Sequence, residues 1–217
     1  MNVDKLINRY FGNEPCPPVI EVFDSDTIYN TYNDIVSLLN SKPDVEVSVL
    51  QALSYCFYEV LDNVLTHSER KCGTAIMRYL QDNNKIQILV ADDGVGVAYS
   101  LRTNPQYTDI TDEDAVKLCI VDGVTDGKGM GFGLYSTARL IKSVGIRLEI
   151  HSGEYKLVYD GIDTKIHHDA EWNGTIVYLE LHSDREIDPN EVVDNRTDCE
   201  SQYNDNFCKE DELDNLW

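Results

Sequence analysis

Residues 88–97 read ILVADDGVGV, an apolar run that ends in acidic residues and two spaced glycines. The run predicts a buried strand that delivers Asp92 at its end, with Gly94 and Gly96 completing the pattern D-x-G-x-G. A carboxylate there could accept a hydrogen bond from an exocyclic amine, while the glycines allow a sharp turn and close approach of a flat ring. An ordinary turn with two glycines also fits. The dinucleotide motif G-x-G-x-x-G does not, because Tyr99 occupies the third glycine position.

Upstream of this strand, residues 46–67 predict a long helix, because their apolar side chains recur at steps of three and four. Glu59, Asn63 and His67 are spaced four apart and therefore form one polar stripe along it. A solvated face of an amphipathic helix explains such a stripe. However, asparagine is a poor helix former in mid-helix. A carboxylate one turn before an amide oxygen suits a magnesium–phosphate site, with the amide as metal ligand and the carboxylate as base.

Downstream, residues 127–134 read GKGMGFGL and run directly into a predicted helix that starts at Leu134. Gly129, Gly131 and Gly133 alternate with other residues, which favours a chain of free N–H groups at a helix N-terminus, a good anion site. The interleaved apolar residues disfavour a flexible linker. A Walker loop is excluded because Gly129 stands where serine or threonine is required.

A last short signal is Asn173-Gly174-Thr175, which opens a predicted strand. Alone it indicates only a turn followed by a β-branched strand residue. Together, the four patterns run in the order E-x-x-x-N on a helix, D-x-G-x-G after a strand, G-x-G-x-G-L before a helix, and G-T before a last strand. This order, over residues 46–182, resembles the N, G1, G2 and G3 boxes of the GHKL ATP-binding fold. Gyrase, chaperone, histidine-kinase and mismatch-repair ATPases and anti-sigma kinases share that fold.

The resemblance implies an α/β sandwich of the Bergerat type: a mixed sheet of about five strands, helices on one face, and ATP between helices and a mobile lid. The lid would span about residues 99–128. Glu59 would be the catalytic carboxylate, Asn63 the Mg²⁺ ligand and Asp92 the reader of the adenine amine. The other implied nucleotide-binding residues are His67, Gly94, Gly96, Lys128, Gly129, Gly131, Gly133, Leu134 and Thr175. Among these, Lys128 would reach the terminal phosphate, and Thr175 would bond the Asp92 carboxylate or an adenine-side water.

Within the superfamily, the chain looks most like the stand-alone anti-sigma-factor kinases. The segment before the N box contains no histidine that could accept a phosphate, and residues 65–68 read LTHS as in that group. Residues 114–117 and 123–125 resemble lid segments of ATP-binding proteins encoded beside STAS-like partners. The resemblance implies ATP·Mg-dependent regulation of a protein partner, possible homodimerisation, and phosphotransfer to serine or threonine as the leading chemistry. A slow ATPase and a nucleotide-gated binding module remain alternatives.

Composition limits the other classes of function. The chain carries 39 acidic and 18 basic residues, a net charge of −21. Such a surface repels phosphate backbones and anionic lipid, so no nucleic-acid or membrane binding is expected. Six cysteines are scattered without metal-ligand spacing, and the first ten residues lack a secretory pattern. These features predict a cytoplasmic protein with reduced thiols.

Three segments are expected along the chain. Residues 1–45 form an N-terminal extension, residues 46–182 the ATP-binding domain, and residues 183–217 an acidic tail. The tail has few aliphatic residues and no sustained period, which predicts disorder. Its few aromatic residues leave room for a partner-docking segment.

Overall fold

The computed structural model describes residues 2–12, 16–129, 131 and 133–193. Over these residues the α-helices are α1 (Val3–Leu6), α2 (Ile28–Asn40), α3 (Val47–His67), α4 (Gly96–Arg102), α5 (Asp112–Leu118) and α6 (Gly133–Val144). The strands are β1 (Val19–Asp24), β2 (Cys72–Leu80), β3 (Lys85–Ala91), β4 (Gly145–Tyr159) and β5 (Thr164–His182). A π-helical segment, Ile7–Phe11, follows α1, and short 3₁₀ turns lie at Gln81–Asn83, Pro105–Tyr107 and Pro189–Glu191.

The five strands form one sheet in the order β1-β2-β3-β5-β4. All four neighbouring pairs are antiparallel, whereas a mixed sheet was predicted. Hairpins account for two of the pairs, β2–β3 and β4–β5, because a hairpin joins antiparallel strands. The pairs β1–β2 and β3–β5 are antiparallel across longer connections that contain helices. The prediction of a five-stranded α/β sandwich is confirmed.

The β4–β5 hairpin is long, and β4 runs without interruption for 15 residues. Its pairing with β5 shifts register between Ser152 and Tyr155, and Gly153 there has φ of 60°. This irregularity is a bulge, which bends a strand without ending it.

The main core lies between the sheet and the larger helices. α3 contributes the residues that its period predicted, all at most 5 % exposed: Leu53, Cys56, Phe57, Val60, Leu61 and Val64. α2 and α6 pack beside α3 over the same face. The polar stripe of α3 is therefore turned away from the sheet, toward α6 and the loop that precedes it.

The opposite face of the sheet is partly covered by residues 2–12, which the sequence did not predict. Leu6, Tyr10 and Phe11 are buried there against β-strand residues that include Ile76 and Tyr178. The predicted N-terminal extension also supplies β1 and α2, so most of residues 1–45 is part of the domain. No helix of the described segments is both long and apolar enough to cross a membrane.

The first residues of the predicted tail pack on the domain. The Glu46 N–H donates to the Ser183 carbonyl at 2.7 Å, and the Ile187 N–H donates to Ser48 Oγ at 3.2 Å. Val192 is 0 % exposed and belongs to the main core. The prediction of disorder for residues 194–217 lies outside the described residues.

Truncation separates these two parts of the tail. Removing residues 194–217 is expected to leave the free energy of unfolding nearly unchanged, because that sequence offers little apolar surface to bury. Removing residues 184–217 also exposes the site of Val192 and should lower the free energy of unfolding by about 1.5–3 kcal/mol. Urea unfolding of both truncated chains measures the difference. Equal stabilities would show that the Val192 contact contributes nothing.

Candidate nucleotide-binding site

The polar stripe of α3 faces the start of α6. Glu59, Asn63 and His67 are all half-buried on this helix. A Cβ added at Gly133 would lie 3.0 Å from Asn63 Nδ2 and 3.2 Å from Glu59 Oε2, so only hydrogen fits there comfortably. The structure therefore brings Glu59 and Asn63 to the N-terminus of a 12-residue helix, where backbone N–H groups and the helix dipole favour an anion.

Asp92 lies immediately after β3, and its residue is 3 % exposed. Its Oδ1 accepts the Gly94 N–H at 2.7 Å, and its carbonyl accepts the Trp172 indole N–H at 2.9 Å. Burial raises the pKa of Asp92 to about 6, against the lowering effect of N–H groups from Gly94 and Thr175. At neutral pH Asp92 is therefore a buried, ionised acceptor held in a fixed direction.

The turn around Asp92 needs glycine for reasons of space. A Cβ at Gly94 would lie 2.1 Å from the Ser68 carbonyl oxygen. At Gly174, where φ is 97°, it would lie 2.4 Å from the Asp92 carbonyl oxygen. Gly96 has φ of 78°, and a Cβ there would meet Ser152 Oγ at 2.6 Å. The turn that contains Gly94 and Gly96 therefore packs against Gly174 with the two backbones in direct contact.

Thr175 lies beside Asp92, but the observed contact runs through its main chain. The Asp92 N–H donates to the Thr175 carbonyl at 3.0 Å, and the Thr175 N–H lowers the pKa of the Asp92 carboxyl group. The sequence predicted that Thr175 bonds the Asp92 carboxylate or a water, and the contacts to Asp92 come from the Thr175 main chain.

Ser68 joins the Asp92 turn to the stripe of α3. It follows His67 directly, and its carbonyl accepts the Val95 N–H at 3.0 Å. Sequence reasoning missed this contact, because a serine after a helix is common and carries no signal of its own. The Asp92 turn and the polar stripe of α3 are therefore joined by consecutive residues, His67 and Ser68, at the end of one helix.

Part of the predicted lid is anchored in the core. Ala115 and Val116 on α5 are 0 % exposed, and Leu101 on α4 is 6 % exposed. Thr111 caps α5, its Oγ1 accepting the Asp114 N–H at 3.1 Å. Buried apolar side chains therefore anchor α4 and α5, whereas residues 102–114 contain no buried side chain.

The glycine-rich segment after α5 is tied by its own polar groups. Thr125 Oγ1 donates to the Gly129 carbonyl at 2.7 Å and accepts the Gly127 N–H at 3.1 Å. A Cβ at Gly129 would lie 3.8 Å from His67 Nε2. Gly131 has φ of 77°, and a Cβ there would approach the backbone of the same segment at 2.5 Å. The predicted phosphate turn therefore lies against the stripe of α3.

Two further predicted residues lie at the ends of this segment. The Lys128 side chain is 44 % exposed, and its Nζ is 3.8 Å from an Asp126 carboxylate oxygen. Leu134, in the first turn of α6, packs against the main core. Leu134 therefore anchors the start of α6 to the core, while Lys128 presents an exposed cationic group beside Asp126.

These features define a class of protein: a GHKL ATP-binding domain, in which a helix stripe, a buried aspartate at a strand end and a glycine-rich turn surround one site. The sequence profile of the family described as histidine kinase-, DNA gyrase B- and HSP90-like ATPase matches residues 49–185. The chain belongs to this family and is an ATP-binding protein of the GHKL type. A search of curated proteins finds no match to the chain.

The side chains present fit a magnesium ion that arrives with the nucleotide. Over the described residues, no group of three or more His, Cys, Asp or Glu side chains is arranged to hold a metal. Mg²⁺ at nucleotide sites typically takes one or two protein oxygens, with phosphates and waters as its other ligands. Asn63 and Glu59, beside the cradle at Gly133, provide oxygen donors of that kind.

Proposed function

We propose that the protein binds Mg·ATP at this site and transfers the terminal phosphate to a serine or threonine hydroxyl of a protein partner. The observation that carries the proposal is the position of Glu59. Its carboxylate lies one helical turn before Asn63, and both side chains border the space at Gly133 where the α6 N-terminus favours an anion. This position supports Glu59 as a base at the phosphate end of the proposed ATP site.

The roles follow from the contacts. Asp92 accepts the adenine amine, because its buried carboxylate already has Gly94 as a fixed partner and retains further acceptor capacity. The N–H groups around Gly129, Gly131 and Gly133 bind phosphate oxygens. Asn63 would hold the magnesium ion. When bound, that ion neutralises phosphate charge and orients the terminal group for attack.

Glu59 acts on the attacking group. Its carboxylate takes the proton of the partner's hydroxyl as the oxygen–phosphorus bond forms, and ADP leaves with the bridging oxygen. Water in place of the hydroxyl would give the ATPase reaction with the same base. Access of a partner's side chain to Glu59 therefore decides between the two reactions.

A STAS-like partner is proposed from the lid sequence. Residues 114–117 and 123–125 resemble lids of ATP-binding proteins encoded beside such partners. Residues 114–117 lie on α5, and residues 123–125 open the glycine-rich segment that continues to Gly129 beside His67. A partner that binds this segment would present its hydroxyl to Glu59.

The test uses γ-labelled ATP with the purified chain, alone and with a STAS-like partner. Label on a serine or threonine of the partner, with little free phosphate, supports the proposal. Robust phosphate release with no labelled protein would replace it with an ATPase. If neither product forms but partner binding still depends on ATP, the domain is a nucleotide-gated module and the transfer reaction is rejected.

The role of Asn63 gives a separate prediction. Asn63→Ala is expected to abolish the magnesium-dependent part of ATP affinity and to leave ADP binding without metal nearly unchanged. The reason is that the substitution removes a ligand of the metal but no contact with the adenine ring. Calorimetric titration of ATP with and without magnesium measures this. Asp62→Ala, an exposed neighbour on the same helix, is the matched control. An unchanged magnesium dependence in Asn63→Ala would refute the assignment.

A further inference from the structure

Asp126 is an acidic residue that joins three parts of the site. It lies in the glycine-rich segment, and its side chain is 1 % exposed. One carboxylate oxygen, Oδ2, lies 2.8 Å from His67 Nδ1 on α3 and accepts the Ser100 hydroxyl of α4 at 2.7 Å. The other, Oδ1, accepts the Lys128 N–H at 2.9 Å.

These contacts keep the carboxylate ionised. Burial alone would raise the pKa of Asp126, but the hydrogen bonds from Ser100, the Lys128 backbone and His67 outweigh it and bring the pKa below its usual value. The Lys128 ammonium group at 3.8 Å adds a further positive neighbour. Because the side chain is enclosed by its donors, it acts on a nucleotide only through them.

The contact with His67 orients the imidazole ring. The ionised carboxylate accepts a hydrogen bond from the Nδ1–H group, and this bond fixes the ring so that Nε2 points away from Asp126. Nε2 lies 3.8 Å from the position of a Cβ at Gly129, and thus faces the glycine-rich turn. Asp126 therefore directs one nitrogen of His67 to the place assigned to the phosphates.

The same carboxylate fixes the loop and α4. Its bond to the Lys128 N–H sets where the exposed Lys128 side chain leaves the backbone. Its bond to Ser100 ties the segment to the helix that follows the Asp92 turn. Two candidates for phosphate binding, His67 and Lys128, and the helix α4 are thus held by a single buried carboxylate.

We propose that Asp126 is a positioning residue for the terminal phosphates, acting through His67 and Lys128. The inference rests on the proposed nucleotide site and adds to it a residue that touches no nucleotide. Its loss should weaken triphosphate binding selectively, since AMP lacks the phosphates that His67 and Lys128 would reach. A purely structural role would weaken both nucleotides alike.

The test compares Asp126→Ala and Asp126→Asn with wild type. Affinities for Mg·ATP and for AMP are measured by calorimetry, and thermal unfolding is recorded for each variant. Asp126→Ala should lower ATP affinity about tenfold or more, which is the usual contribution of one charge-assisted hydrogen bond. Its affinity for AMP should be nearly unchanged. Asp126→Asn keeps an acceptor and should lose less. Asp109→Ala, an exposed acid between α4 and α5, controls for net charge.

A double-mutant comparison gives a second readout, which stands even if Asp126→Ala fails to fold. If Asp126 acts through His67, then Asp126→Asn should lower ATP affinity much less in a His67→Ala background than in wild type. Additive effects, or equal losses for ATP and AMP, overturn the inference and leave the nucleotide site intact. Failure of wild type to bind ATP overturns the proposed function itself, and the inference with it.

Discussion

Asp92→Asn is expected to lower ATP affinity by about 10- to 100-fold and, at pH 7, to raise the stability of the free protein. The affinity is lost because a charged acceptor of the adenine amine contributes about 1.5–3 kcal/mol. The asparagine oxygen would be engaged by Gly94, and its NH₂ group would face the amine as a second donor. The stability rises because a buried charge is removed.

The pH dependence of that stability follows from the pKa of Asp92. Burial raises the pKa from 3.8 to about 6 in the folded protein, so the folded state binds the proton more tightly than the unfolded state. Stability therefore falls as pH rises from about 4 to 6, and the full cost, up to about 3 kcal/mol, is present above pH 6. The gain of Asp92→Asn should be largest at pH 7 and vanish near pH 4.

Two measurements check this prediction. Calorimetry compares ATP and GTP in wild type and variant, and thermal unfolding is followed from pH 4 to pH 7. Asp93→Asn is the control, because it removes the same charge from an exposed neighbour that pairs with Arg70 at 3.3 Å. Equal wild-type affinity for ATP and GTP would refute the adenine role. A variant less stable than wild type at pH 7 would refute the buried-charge account.

The helix and strand that carry the main boxes were predictable because their signals are local. The period of α3 matches the structure to within a residue at each end, and the apolar run that begins at Ile88 lies within β3. Glu59 and Asn63 lie on α3, and Asp92 directly follows β3, as the local patterns predicted. A local pattern fixes such residues because each lies on a regular element whose direction is set by its buried face.

Other parts of the site depend on contacts between distant segments. Asp126 lies in a polar loop with no periodic signal, and its partner His67 is 59 residues earlier in the chain. Gly174 looked like an ordinary turn glycine, yet it is needed because the backbone of Asp92 passes within contact distance. Single-sequence patterns do not contain such pairs, since only the folded topology brings them together.

The packing of the two terminal segments on the domain was not predicted, for a related reason. Leu6, Tyr10 and Phe11 sit in a short helix and a π-helical turn, which have no extended period. Val192 is one aliphatic residue in an acidic stretch, where composition predicts disorder. Each of these side chains is ordered by the surface on which it packs. The residues of that surface are distant in the sequence, so a local sequence pattern does not reveal them.

Glu59→Gln is expected to bind ATP with near wild-type affinity and to lose about 10²–10⁴ in turnover, the usual contribution of a general base. Glutamine keeps the size and an oxygen of the side chain beside Gly133 but cannot take a proton. The measurement combines calorimetry with separate assays of labelled protein and free phosphate. Asp62→Asn, an exposed acid three residues further along α3, is the matched control.

The alternative role for Glu59 is to hold Asn63 or a neighbouring backbone group in place. In that case Glu59→Gln should retain most of the turnover, because the amide can still form a hydrogen bond, whereas Glu59→Ala should lose both turnover and magnesium-dependent affinity. If Glu59 is a general base, the two variants should instead behave alike: both lose turnover to a similar extent, and both still bind Mg·ATP. If neither variant changes any rate while partner binding still follows ATP, Glu59 performs no chemistry, and the domain works by nucleotide-controlled binding alone.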